Sequence, residues 1–393
     1  MKKALKLIPV CALALFLLAS CVLAPAASAE SLSAAEIEIS VSKRDASGEY
    51  DASEATALSP NDDLTITEAG VYILSGSYEN VMIVIDAGEE DKVQLVLENA
   101  SISNENVPAI YVRSADKVFL TAAEGTVNSI SDGADYAITD EDTTLDAAVF
   151  SRADLTINGA GTLTIAGNCK HAVVSKDDLV VTAKDLTVIA ANVGLNGKDS
   201  VTLSEAALVV TAGSDGVRAE NGSILVDSGA YTIKASSDGV AAAEMVGISG
   251  GSFDITAAEG VEATYVLISG GEIAITASDD GINAARKSDS YTPTVEITGG
   301  TISITMGAGD TDGVDSNGNI IISGGTVSVN GSSSFDYDGT ASFTGGTVYV
   351  NGQQVTTLPN QMMGGGMGGF GGGMGGDPGA QGGFGGGRGG GRP

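Results

Sequence analysis

Between residues 215 and 339 a carboxylate repeatedly stands directly before a glycine: Asp215-Gly216, Asp238-Gly239, Glu259-Gly260, Asp280-Gly281, Asp312-Gly313 and Asp338-Gly339. Asp-Gly is a common turn dipeptide, so any one pair read alone is only a corner. Asn or Ser would serve a turn as well, yet every one of these corners carries acid. Earlier in the chain His171 and Val193 stand at the matching place, so the corner itself does not require a carboxylate. Two positions beyond each glycine runs a second series, Arg218, Ala241, Glu262, Asn283 and Asp315. Corner acids and second series together present two facing rows of oxygen ligands. Ca²⁺ takes about six to eight oxygens from carboxylates, amides, carbonyls and water, which suits such rows. Zinc or copper would need nitrogen and sulfur ligands that a chain with one His and three Cys hardly supplies. The candidate calcium ligands are therefore Asp215, Asp238, Glu259, Glu262, Asp280, Asn283, Asp312, Asp315 and Asp338. Asp279, Asp289, Asp310 and Asp336 fall in the same corner region.

These acids act together only if the fold stacks them, and the surrounding sequence predicts that it does. From Val201 to Val350 one phrase of roughly 21 to 28 residues recurs, the signature of a solenoid whose units cannot bury their apolar faces alone. Within each phrase apolar residues alternate with small or polar ones, the period of a strand. Overlaid, the phrases give an inward column Val226, Ile248, Ile268, Ile297, Ile322, Phe343 and another Tyr231, Phe253, Ile273, Ile302, Val327, Val348. Thr232, Asp254, Ala274, Ser303 and Ser328 alternate with the second column and face outward. Between the columns lie glycine pairs such as Gly250-Gly251 and Gly270-Gly271, where a Cβ is excluded. No phrase carries a helical pattern. The fold class is all-β, a parallel β-helix of about three short strands per coil and about a dozen coils. Equivalent residues on adjacent coils then lie about 4.8 Å apart. Ionised carboxylates at that spacing repel by about 1 kcal/mol per pair in water and by several where partly buried, so something must neutralise them.

A formal charge of −31 over 393 residues argues against nucleic acid or an anionic membrane as partner and makes cations the natural one. Residues 1–29 read as a secretion signal, with Lys2, Lys3 and Lys6 ahead of an apolar run. Two processing sites compete: Leu18-Ala19-Ser20-Cys21 matches a lipobox that would leave Cys21 as a lipid anchor, and Ala27-Ser28-Ala29 matches ordinary cleavage. Either places the protein outside the cytoplasm, secreted or at the cell surface, and a monomer is expected. Cys11 and Cys21 fall in the signal, so the released body holds Cys169 and no disulfide framework. Residues 30–63 read as a lead-in or N-terminal cap, 64–358 as the β-helix, Ser131 to Asp146 as an excursion from one coil, and 359–393 as a disordered Gly/Met-rich tail.

The repeated S-D-G-V/I corner, the I-S/T-G-G turn, the opening ITEAGVYILSGSY, the phrases AIYVRSAD and AVFSRADLTI, and the Gly/Met tail together resemble secreted bacterial carbohydrate-binding β-helix proteins. That resemblance implies a right-handed β-helix related in fold to polysaccharide (pectate) lyases. It also implies calcium on the acidic corners and binding to cellulose and to acidic pectin-type plant cell-wall polysaccharide. Glu259 in place of Asp, and Ala241 in the second series, depart from the family pattern. A polygalacturonate chain would be repelled by this charge unless Ca²⁺ bridged the two sets of carboxylates. Arg218, Lys234 and Arg286 are the candidate saccharide-binding cations. Tyr349 is the candidate aromatic contact, with Tyr265, Tyr291 and Tyr337 also expected at the surface. The rival reading is a calcium-dependent pectate lyase, which needs a Lys or Arg base; Arg218, Arg286 and Lys287 lie near the acidic corners and Lys234 on an outward strand position, none in a recognisable motif, and no catalytic residue is assigned. A third reading is a structural or adhesive surface protein. His171, the single histidine, is expected at a solvent-facing corner.

Overall fold

The computed structural model describes residues 37, 39–136, 145–307 and 311–360. The expected signal with Cys21, the tail from residue 361, Asp310 and the middle of the 131–146 excursion lie outside the described residues. What is described is a parallel β-solenoid of about twelve turns. One wall is a parallel sheet of twelve strands, one per turn, running from Leu64–Ile66 to Ser333–Tyr337. The other strands form two ladders joined through the long strands Gly70–Glu79 and Lys92–Asn104. The twelve-stranded wall carries the acids and is called the site sheet below.

The register follows the alternation in the sequence. Val226 pairs with Ile248, then Ile268, Ile297, Ile322 and Phe343; Tyr231 pairs with Phe253, then Ile273, Ile302, Val327 and Val348. These residues join one continuous core, with only Phe343 partly exposed. A single-residue slip would turn the whole set outward, so burial itself fixes the register. The glycine pair at each corner is needed for two different reasons. A Cβ on Gly250 would lie 2.1 Å from the Asp227 carbonyl oxygen, and Gly251 has φ +95°, where a side chain is strained.

The lead-in is more ordered than its composition foretells. A short helix, Lys43–Ser47, is closed by a capping box on Ser42 and lies along the flank of the solenoid rather than over its end. Asp45 is its anchor: Lys117 Nζ sits 2.8 Å from Asp45 Oδ1, and the Thr156 hydroxyl donates to the same oxygen at 2.6 Å. The Thr182 hydroxyl and the Asn158 amide donate to the Asp45 carbonyl. The end itself is covered by Thr56–Leu58, which pairs with Gly70–Glu79 and so starts the sheet before Leu64. At the other end Gln353–Val355 folds back antiparallel on Thr347–Val350. Both additions occupy an edge that would otherwise offer unpaired backbone groups.

Candidate functional site

On the site sheet the acids stand where a strand begins. Asp238–Ala242, Glu259–Ala263 and Asp312–Ser316 are strands, so the carboxylate and its glycine are not turn residues there. The glycine faces the core: a Cβ on Gly239 would lie 2.4 Å from Ile255 Cγ2 and 2.6 Å from the Gly260 carbonyl oxygen. Backbone N–H groups of Gly194, Gly216, Gly260 and Gly281 donate to the carbonyls of Asp215, Asp238, Asp280 and Asp312 one coil on. Backbone stacking therefore places Asp215, Asp238, Glu259, Asp280 and Asp312 in one column. Asp338 does not belong to it. Ser333 is the residue paired with Asp312, and Asp338 follows the end of its strand, exposed, with its N–H on the Ser316 carbonyl. The last coil departs from the spacing of its predecessors, so its acid-glycine pair marks a different place.

The second series runs beside the first as Asn196, Arg218, Ala241, Glu262, Asn283, Asp315 and Asp336, each paired with the next. Carboxylate oxygens of Asp238, Glu259 and Glu262 lie within 4.8 Å of one another. The Asn283 amide nitrogen donates to Glu259 at 3.0 Å, and the Lys287 ammonium lies 2.6 Å from Glu262. Further along, the Asp312 N–H donates to Asp280 at 3.2 Å, and the Ser333 hydroxyl donates to Asp312. Burial favours the protonated form of these acids and raises their pKa values above the usual range. It pushes Asp238 up to about 7, with Glu262 and Asp215 adding repulsion. Asp280 rises to about 6 through burial and then Asp315, and Asp315 to about 6 through burial and then Asp336. Glu259 and Glu262 are raised as well, again by burial first. The buried Asn283 and Asp336 Oδ1 atoms and the Thr311 hydroxyl have no hydrogen-bond partner. Orphaned oxygens among repelling acids are what an oxygen-ligated cation would satisfy, so these residues fit Ca²⁺.

The expected saccharide contacts divide. Arg218 is on the site sheet, holding Asp215 at 3.4 Å and Glu220 at 3.2 Å. It flanks a groove of about 540 Å³ walled by Asp215, Glu220, Glu262 and Lys287 and floored by alanines including Ala241. Arg286 pairs with the exposed Asp289 on an excursion between Ile282–Ala284 and Thr294–Ile297. Lys234 is exposed on a different ladder, and Tyr349 is half-buried beside Gln354 of the terminal strand; neither is on the site sheet. Tyr265 is buried against Glu296 and Tyr291 rather than at the surface. His171 is likewise buried, its Nδ1 accepting from the Val193 N–H at 3.3 Å. Glu220 was not foreseen, although its place two residues after Arg218 is the signal that finds it. A separate acid group, Asp154, Asp177 and Asp178, was also unforeseen, although Asp154 and Asp178 hold the same place in the phrases AVFSRADLTI and AVVSKDDLVV.

Known proteins resemble the chain as follows. The family described as carbohydrate-binding domain-containing protein matches residues 60–265 and 258–355. A carbohydrate-binding domain-containing protein of Acetivibrio thermocellus is 35% identical over 129 residues, 33% of this chain and 45% of that protein. The chain thus matches less than half the length of that relative. A solved structure, described as the polysaccharide lyase-like protein from C. thermocellum, gadolinium derivative, aligns over 75% of this chain and 98% of that one. Its identity is 24% and its TM-score 0.33, a likeness that supports no transfer of residues.

Proposed function

The chain belongs to the carbohydrate-binding domain-containing protein family, and from that premise we propose that it binds acidic plant cell-wall polysaccharide, of the polygalacturonate or pectin type, through Ca²⁺ held on the site sheet. It would act outside the cytoplasm, secreted or anchored at Cys21. Asp280, Asn283, Asp312 and Asp315 would hold the ion, with Asp238, Glu259 and Glu262 continuing the two acid columns beside them. The observation that carries this reading is the buried, unpartnered Asn283 oxygen set among carboxylates that burial and mutual repulsion keep well above their usual range. When bound, Ca²⁺ supplies a positive charge that protein oxygens and a uronate carboxylate can share. The chain's own part is to hold the oxygens at coil spacing and to keep them from relaxing apart, which the backbone bonds of the glycine column do.

A lyase would need a basic side chain free to take a proton. The cations nearest the site are already paired with carboxylates: Arg218 with Asp215 and Glu220, and Lys287 with Glu262. Binding without turnover is therefore the reading favoured here. Polygalacturonate pull-down with Ca²⁺ and with chelator tests it, alongside melting curves in the same two buffers. Retention and a higher melting temperature are expected only with Ca²⁺. Binding that ignores chelator, with no melting shift, would overturn the metal-bridged mechanism.

A further inference from the structure

The acid columns are not uniformly supplied with cations. Lys287 lies on the excursion that leaves the coil after Ala284, and this excursion is pinned in place. The backbone N–H groups of Lys287 and Ser288 both donate to the Thr264 hydroxyl at 2.9 Å, and that hydroxyl donates to the Ala243 carbonyl at 2.7 Å. The Ser290 hydroxyl binds Glu244, and the Tyr291 ring packs on Tyr265 at 5.3 Å. A fixed backbone thus delivers one ammonium to Glu262, a member of the tightest acid group. At the other end, among the described residues, no lysine or arginine forms an ion pair with Asp280 or Asp315. Between the two ends Asn283 is only 8% exposed; its amide nitrogen is tied to Glu259 and its oxygen has no partner.

We propose that Lys287 is a tethered counter-cation that takes the place of a metal ion at Asp238, Glu259 and Glu262, leaving divalent cation to the end built by Asp280, Asn283, Asp312 and Asp315. This rests on the calcium reading above and adds that the columns are divided by a residue of the chain itself. An ammonium is a compact charge with three donors, so it can neutralise Glu262 and still face the groove, where the Lys287 side chain is 45% exposed. The groove beside Arg218 then presents fixed cations, and the far end presents an exchangeable one.

Calcium titration of the full chain by calorimetry, after removal of bound metal, tests the proposal. Lys287→Met keeps the stem and removes the charge, Lys287→Gln is a second neutral variant, and Lys287→Arg keeps the charge. The neutral variants are expected to bind one more Ca²⁺ per chain than the parent, and the arginine variant to match the parent. A parent that binds Ca²⁺, with neutral variants identical to it in number and affinity, would overturn the tethered cation and leave the calcium reading standing. No binding by parent or variants would overturn both.

Discussion

The outward face of the site sheet changes character along its length while the backbone beneath it does not. Toward the N-terminus the outward column reads Val84, Tyr111, Phe150 and Val174, all buried. Leu145 and Tyr136, from the excursion after Asp132, lie over it, with the Tyr136 hydroxyl on Asp132 and on the Ala147 carbonyl. Toward the C-terminus the same column reads Glu262, Asn283, Asp315 and Asp336, and the excursion there brings a lysine rather than an apolar lid. Asn196, Arg218 and Ala241 mark the change. Inward residues stay apolar at both ends, Ile83, Ile110 and Val149 at one and Val261, Ile282, Val314 and Phe335 at the other. In a solenoid each coil is supported by its neighbours, so one outward position per coil can be exchanged without disturbing the core. One end uses that freedom to gain a second apolar layer and the other to gather charge.

Breaking the apolar end should have the largest effect. Phe150 is fully buried, with its ring 6.1 Å from Tyr111 in an edge contact and the Lys176 ammonium 5.7 Å above it. Phe150→Ala removes the ring from under the lid and should cost about 3–5 kcal/mol in chemical denaturation. Calcium binding at the far end should be unchanged. A cost below about 1 kcal/mol would mean that the lid is not a second core.

That contrast also shows what could be read without coordinates. The inward columns were legible from alternation alone, because a side-chain period of two leaves only one consistent register. The pairing of corner acids with Glu262, Asn283 and Asp315 was legible for the same reason. Asp338 falls outside the column because an acid-glycine pair does not by itself mark it; the marker is the inward glycine and its coil spacing, and Ser333 holds the acid's place in the last coil. Tyr265 and His171 were expected at the surface since residue type gives no sign that an excursion or a neighbouring coil will cover them. The lid over Phe150 and the anchoring of Asp45 by Lys117, Thr156 and Thr182 each depend on a partner outside the repeats, from the 131–146 excursion or the lead-in helix, so no repeated phrase points to them.

The acidic end predicts a pH dependence that the apolar end cannot produce. Asp238 is pushed up to about 7, and Asp280 and Asp315 to about 6, against about 3.9 for an unfolded aspartate. Between those values the folded chain binds more protons than the unfolded one, so stability falls as pH rises from about 4 to about 7. The metal-free protein should melt several degrees lower at pH 8 than at pH 5. His171, lowered by burial, opposes this below its ordinary range, and Asp45, lowered by its hydrogen bonds to Lys117, Ser42 and Thr156, acts only below the window. Asp315→Asn should flatten the slope. A melting temperature that rises steadily from pH 5 to pH 8 would show that the columns are not under strain from their charge.

The smallest effect should come from the cation that sequence placed beside Lys287. Arg286 lies 3.3 Å from Asp289, but the two side chains are 63% and 98% exposed. An exposed pair of this kind gains little in water, since screening and the ordering of two side chains offset most of its attraction. Arg286→Ala should change stability by less than about 0.5 kcal/mol and leave the calcium count at its parent value. Lys287→Met, one residue along the same pinned excursion, is expected to raise that count. If the two substitutions behaved alike, cationic charge near the acids would matter only in bulk. A difference between them would mean that one ammonium's contact with Glu262 distinguishes the ends of the column.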